Sequence, residues 1–302
     1  MLDRPGDLPL ISPLSRAPGR YRKQVLATAL ACSLALGSIL VNGLEHELVP
    51  VASAAGPVFD HEHTALDTLL VAFVVDGAVD YAGLQNHRTE LQTYLATLNE
   101  QDEKRFHQEF TRDQQLAFLI NAYNAFTLEL ILEHYPVASI QDIPGNWTEP
   151  RCRLFGRKLS LNDLENKIIR PRYGEPRIHF ALVCAARSCP PLRSEAYLAG
   201  RLAEQLASAA RDFARDRSAN RLDMESATLY VSKLFEWYPQ DFAATWGQTE
   251  LPPGSVDSAD HRGVVGFFSA HLTEDQATYL LHNSVTLQFL EFDWDLNARP
   301  AD

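Results

Sequence analysis

The sequence predicts an α+β fold: a mostly helical single domain with a long buried central helix packed on a small mixed β-sheet. Three observations lead there. The segment "RDQQLAFLINAYNAFTLELILEHYP" (112–136) is apolar almost all round, which suits a helix at the centre of a core. After it, short apolar runs are broken by turn residues, the pattern of strands and hairpins. The chain of 302 residues is 46% hydrophobic and 22% charged, enough apolar material for a sizeable core.

Taken in order, the chain opens with positive charge at Arg16, Arg20, Arg22 and Lys23, then an uncharged run from Val25 to Val41. That run lies between a long secretory core and a short membrane span in length, and Ala52-Ser53-Ala54 fits a signal-cleavage site. Residues 1–54 are therefore expected to be a signal peptide or an N-terminal membrane anchor, in contact with the membrane if uncleaved. Either exports residues 60–302, secreted or anchored, to a periplasmic or extracellular location. Cys32 reads as part of the apolar run.

From Asp60 the pattern becomes regular. Leu66, Leu69, Leu70 and Phe73 have helical spacing, and Gly77 and Gly83 break it. Leu91, Tyr94, Leu95 and Leu98 line a second helix; "EKRFHQEF" is a short third. The central helix carries Leu116, Phe118, Leu119, Ile120, Phe126, Leu128, Leu130 and Ile131, and Pro136 ends it. "CRLFGRKLSL" predicts a hairpin around Gly156, and "SLNDLENKIIR" a short amphipathic helix capped by Ser160. "RIHFALV" predicts a buried strand and "SEAYLAGRLAEQLASAARDFARD" a helix capped by Ser194. "RLDMESATLYVS" is a hairpin, "KLFEWYPQDF" a helix or turn, and two helices follow the loop "LPPGSVDSAD". "VTLQFLEFDW" closes the chain as a strand. There is no internal repeat and no glycine-rich phosphate loop.

A net charge of −12 speaks against a nucleic-acid partner. HExxH, G-x-S-x-G and CxxC motifs are absent, so no cofactor or metal is expected. "DHEH" (60–63) resembles a metal patch but has no second ligand group at a known spacing. Asn121 and Asn124 are three apart on one face of the central helix. They either tie that helix to neighbouring backbone or fix a substrate or a catalytic imidazole. On a strand, His179 and Cys184 point to opposite faces, so Cys184 reads as core and His179 as a general base or a core histidine. Cys189 sits in a proline-stiffened turn between Arg187 and Arg193, ahead of a helix; both influences lower a thiol pKa. An exported body with Cys152, Cys184 and Cys189 holds one disulfide and a thiol, or three thiols.

The segments "VDYAGL", "INAYNAFTLELILEHYP", "SIQDI" with Trp147, "GRKLSLNDLENKIIRP", "PRIHFALVCAARSCPPLRSEAY", "VSKLFEWYPQDF" and "FDWDLN" give the body a resemblance to a known family. In order and spacing, from about Asp60 to Asn297, the chain resembles the proteins of domain of unknown function 547. The family usually has Glu-His where this chain has Glu165-Asn166, so no role for that histidine carries over. The resemblance implies a domain rather than a reaction. Some eukaryotic members carry it beside a glutaredoxin module, and plant members after a coiled coil.

Two function classes stay open. One is a cysteine-dependent hydrolase or acyl transferase acting on a peptide or amide at the cell envelope, with Cys189, His179 and Asn121 or Asn124 as catalytic groups. Arg187, Arg193, Glu165, Tyr123 and Trp237 are its candidate substrate contacts. The other is a non-catalytic scaffold that holds a peptide or small-molecule ligand, with Trp237, Tyr238 and Trp294 in recognition or in the core. Thiol redox chemistry through Cys184 and Cys189 is a third.

Overall fold

Thr111 sets the start of the longest helix. Its hydroxyl accepts the Gln114 N–H while the Gln114 side chain accepts the Thr111 N–H, a capping box. In the computed structural model, which describes residues 59–254 and 258–299, this helix runs from Arg112 to His134 and is buried along nearly its whole length. It is long and apolar enough to cross a membrane, but its burial makes it a core helix. The expectations for residues 1–54 lie outside the described residues.

Before it come α1 (Thr64–Phe73), the hairpin β1 (Val74–Val75) and β2 (Ala78–Val79), α2 (Tyr81–Gln85), α3 (Arg88–Asn99) and α4 (Glu103–Glu109); the long helix is α5. The predicted hairpin follows as β3 (Cys152–Leu154) and β4 (Arg157–Leu159), with Gly156 at φ 69° in its turn. Ser160 caps the next segment through the Asp163 N–H, but that segment is a π-helical stretch, Asp163–Ile169, running into α6 (Arg170–Tyr173). Then come α7 (Leu202–Arg215), β5 (Arg221–Asp223), β6 (Thr228–Val231), α8 (Leu234–Trp237), α9 (Pro239–Trp246), α10 (Ala259–His271), α11 (Glu274–His282) and β7 (Thr286–Phe289). The fold is α+β and mostly helical.

These elements enclose two hydrophobic cores. The first surrounds α5 with α1, α3 and the β3 hairpin; the second is an aromatic cluster of Phe180, Phe213, Phe235, Phe242, Phe267 and Phe268. A mixed sheet is present: β6 pairs antiparallel with β5 and parallel with β7. Its buried Leu229 and Val231 belong to the second core, whereas α5 sits in the first against α3 and the π-helical stretch.

Two local expectations are corrected. "RIHFALV" is not a strand: Pro176–Phe180 is a 3-10 turn followed by irregular chain. Pro176 opens the turn, and the backbone beyond it bonds to a side chain of α5 instead of a neighbouring strand. The helix after Cys189 does not start at Ser194 but at Leu202. Side chains from elsewhere take the intervening backbone: Ala196 N–H donates to Asp67, Tyr197 N–H to Asn121 and Leu198 N–H to Gln205. A backbone engaged in this way cannot enter a helix.

Candidate functional site

Asn121 and Asn124 are buried on α5, and each amide bonds twice to backbone. Asn121 Nδ2 donates to Tyr197 O at 2.8 Å and its Oδ1 accepts Tyr197 N–H at 2.9 Å. Asn124 Nδ2 donates to Ala181 O at 2.9 Å and its Oδ1 accepts Val183 N–H at 3.0 Å. Buried backbone groups left without such partners would be costly. The two asparagines are therefore clamps on the chain that carries the cysteines, their amides bonded to its backbone.

That chain turns sharply after Val183. Ala185 adopts a left-handed φ of 57°, and the C-terminal segment straps the loop: Arg187 N–H donates to Asp295 O and Asn297 N–H to Ala185 O. Cys184 and Cys189 are joined in a disulfide across this loop, and Cys152 is the free, buried cysteine. Cys184 is buried in the first core and Cys189 is half-buried. The Cys184 N–H also points at Cys189 Sγ, 2.9 Å away. Burial pushes the Cys152 thiol up to about 12, so it stays protonated.

His179 lies in the 3-10 turn, where strand alternation does not apply. It is 4% exposed and Nε2 is 2.7 Å from Asp241 Oδ2. Its ring stacks on Tyr238 at 4.1 Å between centroids, with Phe242 behind. Arg170 grips the same carboxylate from the other side, Nε to Oδ2 at 2.8 Å and Nη2 to Oδ1 at 3.0 Å, and lies over the Tyr238 ring. Burial alone would raise Asp241, but hydrogen bonds from His179 and Arg170 outweigh it and hold the carboxyl well below the usual range. An ionised Asp241 accepts from Nε2–H; in the neutral ring that tautomer has its lone pair on Nδ1. Nδ1 has no hydrogen-bond partner among the described residues.

Tyr123, Glu165, His179, Cys184, Cys189, Trp237, Tyr238 and Phe292 line one small cavity of about 30 Å³. The Tyr123 hydroxyl donates to Glu165 Oε2 at 3.3 Å, and burial, aided by that carboxylate, raises its pKa well above normal. Phe292, Trp294 and Trp237 form an aromatic wall beside it, with ring centroids 4.5 to 5.7 Å apart. Thus Cys189, His179, Glu165, Tyr123 and Trp237 come together in one place, and Asn121, Asn124, Arg187 and Arg193 stand outside this cavity. Arg187 pairs with Asp295 at 3.0 Å, and Arg193 pairs with Glu195 and donates to Ser208. The arginines flanking Cys189 are matched by carboxylates, and the helix expected right after it begins only at Leu202. Around "DHEH", Asp60 accepts from the Glu62 and Thr64 N–H groups and His63 bonds Tyr94.

Asp241 and Arg170 are the site residues the sequence reading missed. Asp241 is 62 residues beyond His179 and no spacing rule links them. The signal available was a carboxylate within "KLFEWYPQDF", two residues past the proline that starts α9.

Residues 107–214 match the model of the family described as "Protein of unknown function, DUF547". No curated protein and no solved structure matches the chain. The matched segment contains α5 with both asparagine clamps, Glu165, Arg170, His179 and the disulfide, and ends before Trp237, Tyr238 and Asp241. Through that segment the chain is a DUF547 domain-containing protein.

Proposed function

We propose that the protein is a cysteine-dependent hydrolase or acyl transferase, with Cys189 as nucleophile, His179 as its base and Asp241 as the group that orients the imidazole. One observation carries this reading: an imidazole fixed by a carboxylate at 2.7 Å lines the same cavity as the half-buried sulfur of Cys189. The disulfide is then the resting form. A dithiol reduces it, becoming a disulfide itself and leaving two protein thiols. Cys189 gives its proton to His179 Nδ1, and its sulfur attacks the acyl carbon. The imidazolium returns the proton to the departing amine or alcohol, leaving a thioester. Water, deprotonated by the same imidazole, or an acceptor amine then releases the acyl group. The Cys184 N–H, 2.9 Å from Cys189 Sγ in the disulfide form, is the donor available to a thiolate that stays in place after reduction.

The cavity of about 30 Å³ has room for little more than one water, which disfavours a drug-sized ligand lodged there and suits an acyl group presented at its mouth. A disulfide suits an oxidising compartment, which agrees with an exported body, periplasmic or extracellular. The disulfide itself favours a second reading, thiol–disulfide exchange with a partner dithiol.

Single-cysteine variants separate the two. Acyl transfer predicts that Cys184→Ser releases p-nitrophenol from p-nitrophenyl acetate without added reductant, and that Cys189→Ser does not. Asp241→Asn in the Cys184→Ser background is expected to slow release about a hundredfold, the scale of acid–base assistance. If Cys184→Ser is inert while the wild type oxidises a dithiol, the redox reading replaces this one.

A further inference from the structure

We infer that the cleft running from Cys189 past Pro190, Pro191 and Gly77 to Asp212 binds an extended polypeptide with a basic side chain, as the substrate groove of the Cys189 site. The inference rests on the acyl-transfer reading and adds a substrate class to it.

Three cavities lie side by side and share lining residues. Cys189 and Pro190 line both the small cavity beside His179 and a cleft of about 300 Å³. Asp76, Gly77 and Pro191 line both that cleft and a larger one of about 740 Å³. The two wider parts meet where the β1–β2 turn touches the proline turn. There Gly77, at φ 82°, leaves no room for a side chain: a Cβ on it would lie 2.6 Å from Pro191 Cβ. A bound chain would cross over this contact in extended form, with side chains dropping into the wider parts on either side.

The larger cleft has Phe180, Leu192 and Phe213 among its apolar lining, with Val71 beside them at 62% exposure. Phe180, Leu192 and Phe213 are already buried, so Val71 is the apolar group there that a bound chain would cover. The charge on the walls selects what covers it. The cleft's two arginines are already matched, Arg193 by Glu195 and Arg187 by Asp295. Apart from Glu195, the carboxylates are not matched in the same way. Asp76 makes no ion pair among the described residues, Asp212 faces only its exposed neighbour Arg211 at 3.5 Å, and Asp216 accepts from the Ser218 N–H and hydroxyl. The groove is thus net negative. An anionic surface such as a nucleic acid or an acidic membrane would be repelled, and a lysine or arginine on the bound chain would be attracted.

The test uses the reduced full-length protein and two peptide chloromethyl ketones, acetyl-Leu-Lys-Gly and acetyl-Leu-Glu-Gly, with Cys189 alkylation read by mass spectrometry. Iodoacetamide is the control that ignores the groove. The lysine peptide is expected to react about tenfold faster than the glutamate peptide at low salt, and the gap to close as salt rises. Asp76→Asn with Asp212→Asn is expected to remove the preference and leave the iodoacetamide rate unchanged. Asparagine tolerates the left-handed conformation of Asp76, at φ 50°, so this variant keeps the turn. Equal rates for the two peptides, with iodoacetamide still fast, would overturn the groove and spare the nucleophile. No labelling of Cys189 by any of the three would overturn both.

Discussion

Around α5 the first core fastens its loops with side-chain amides, whereas the second core, around α9 and α10, fastens them with stacked rings. Asn121 and Asn124 hold the cysteine-bearing chain, Gln115 Nε2 donates to Phe106 O and Phe110 O, and Gln205 serves Leu198 N–H and Ala196 O. In the second core the work falls to rings: Phe235 lies 4.8 Å from Phe242, 5.4 Å from Phe267 and 4.9 Å from Phe268. Only Asn220, bridging Phe213 O and Ser232 N–H, is an asparagine clamp of the first kind there among the described residues. Amides fix individual backbone atoms in direction; rings fix volume and tolerate small shifts. The candidate site lies on the seam. Its disulfide, Tyr123 and Leu182 belong to or pack on the first core, and Tyr238, Leu234 and Trp237 to or on the second. His179 sits between Ile178 of the first core and Phe180 of the second. One side therefore aims the sulfur, and the other holds the imidazole by stacking and by Asp241.

The largest expected effect tests the aromatic side. Phe235 is fully buried, so Phe235→Ala leaves a cavity and should lower unfolding stability by about 3–5 kcal/mol in a urea titration. The Cys184–Cys189 bond should survive, since its loop is strapped from the first core and the C-terminus. A cost below about 1 kcal/mol would mean that the second core relaxes around the gap and that its rings do not fix volume as argued.

A smaller loss is expected on the amide side, with a different signature. Asn124→Leu strands Ala181 O and Val183 N–H in the interior and should lower stability by roughly 1–3 kcal/mol. Because those bonds aim the chain leading to Cys184, the variant should also change the rate at which reduced Cys189 takes iodoacetamide. Phe235→Ala should leave that rate closer to wild type. If the two variants disturb the thiol equally, the division of labour between clamps and rings is wrong.

How much of this was legible in the sequence follows from the same division. Helix α5 was readable because an all-round apolar pattern suits a buried core helix, and the β3–β4 and β5–β6 hairpins were readable as short strands about a turn, whereas the β1–β2 hairpin showed only as a break at Gly77. Asn121 and Asn124 announced themselves as buried amides, though their partners lie 57 to 76 residues away. The chain around His179 was misread because a near-continuous apolar run fits a buried strand, and only a distant amide decides otherwise. That error separated His179 from Cys184, which line one cavity. Asp241 was invisible for the same reason: contacts across the seam leave no local periodicity.

The smallest expected effect concerns a titration confined to the first core. His63, buried at the start of α1, bonds through Nδ1 to the Tyr94 hydroxyl at 2.8 Å. Burial raises the Tyr94 pKa, so the phenol keeps its proton and donates it, and burial pushes His63 down to about 4. In the unfolded chain a histidine titrates near 6.5. Between about 6.5 and about 4 the unfolded chain therefore binds a proton that the folded chain refuses. Stability from this group is complete above that window, falls as pH drops through it and levels off below about 4. Between pH 7.5 and 5.5 the loss should be on the order of 1 kcal/mol. His61 and His271 are shifted in the same direction by burial, so the wild-type curve alone does not isolate His63. His63→Asn keeps a residue that accepts the left-handed φ of 50° and removes the titration. Urea midpoints measured at several pH values should converge for wild type and variant as pH falls towards 5. If the two curves stay parallel, His63 is not the proton-refusing group, and the first core is no more pH-sensitive than the second.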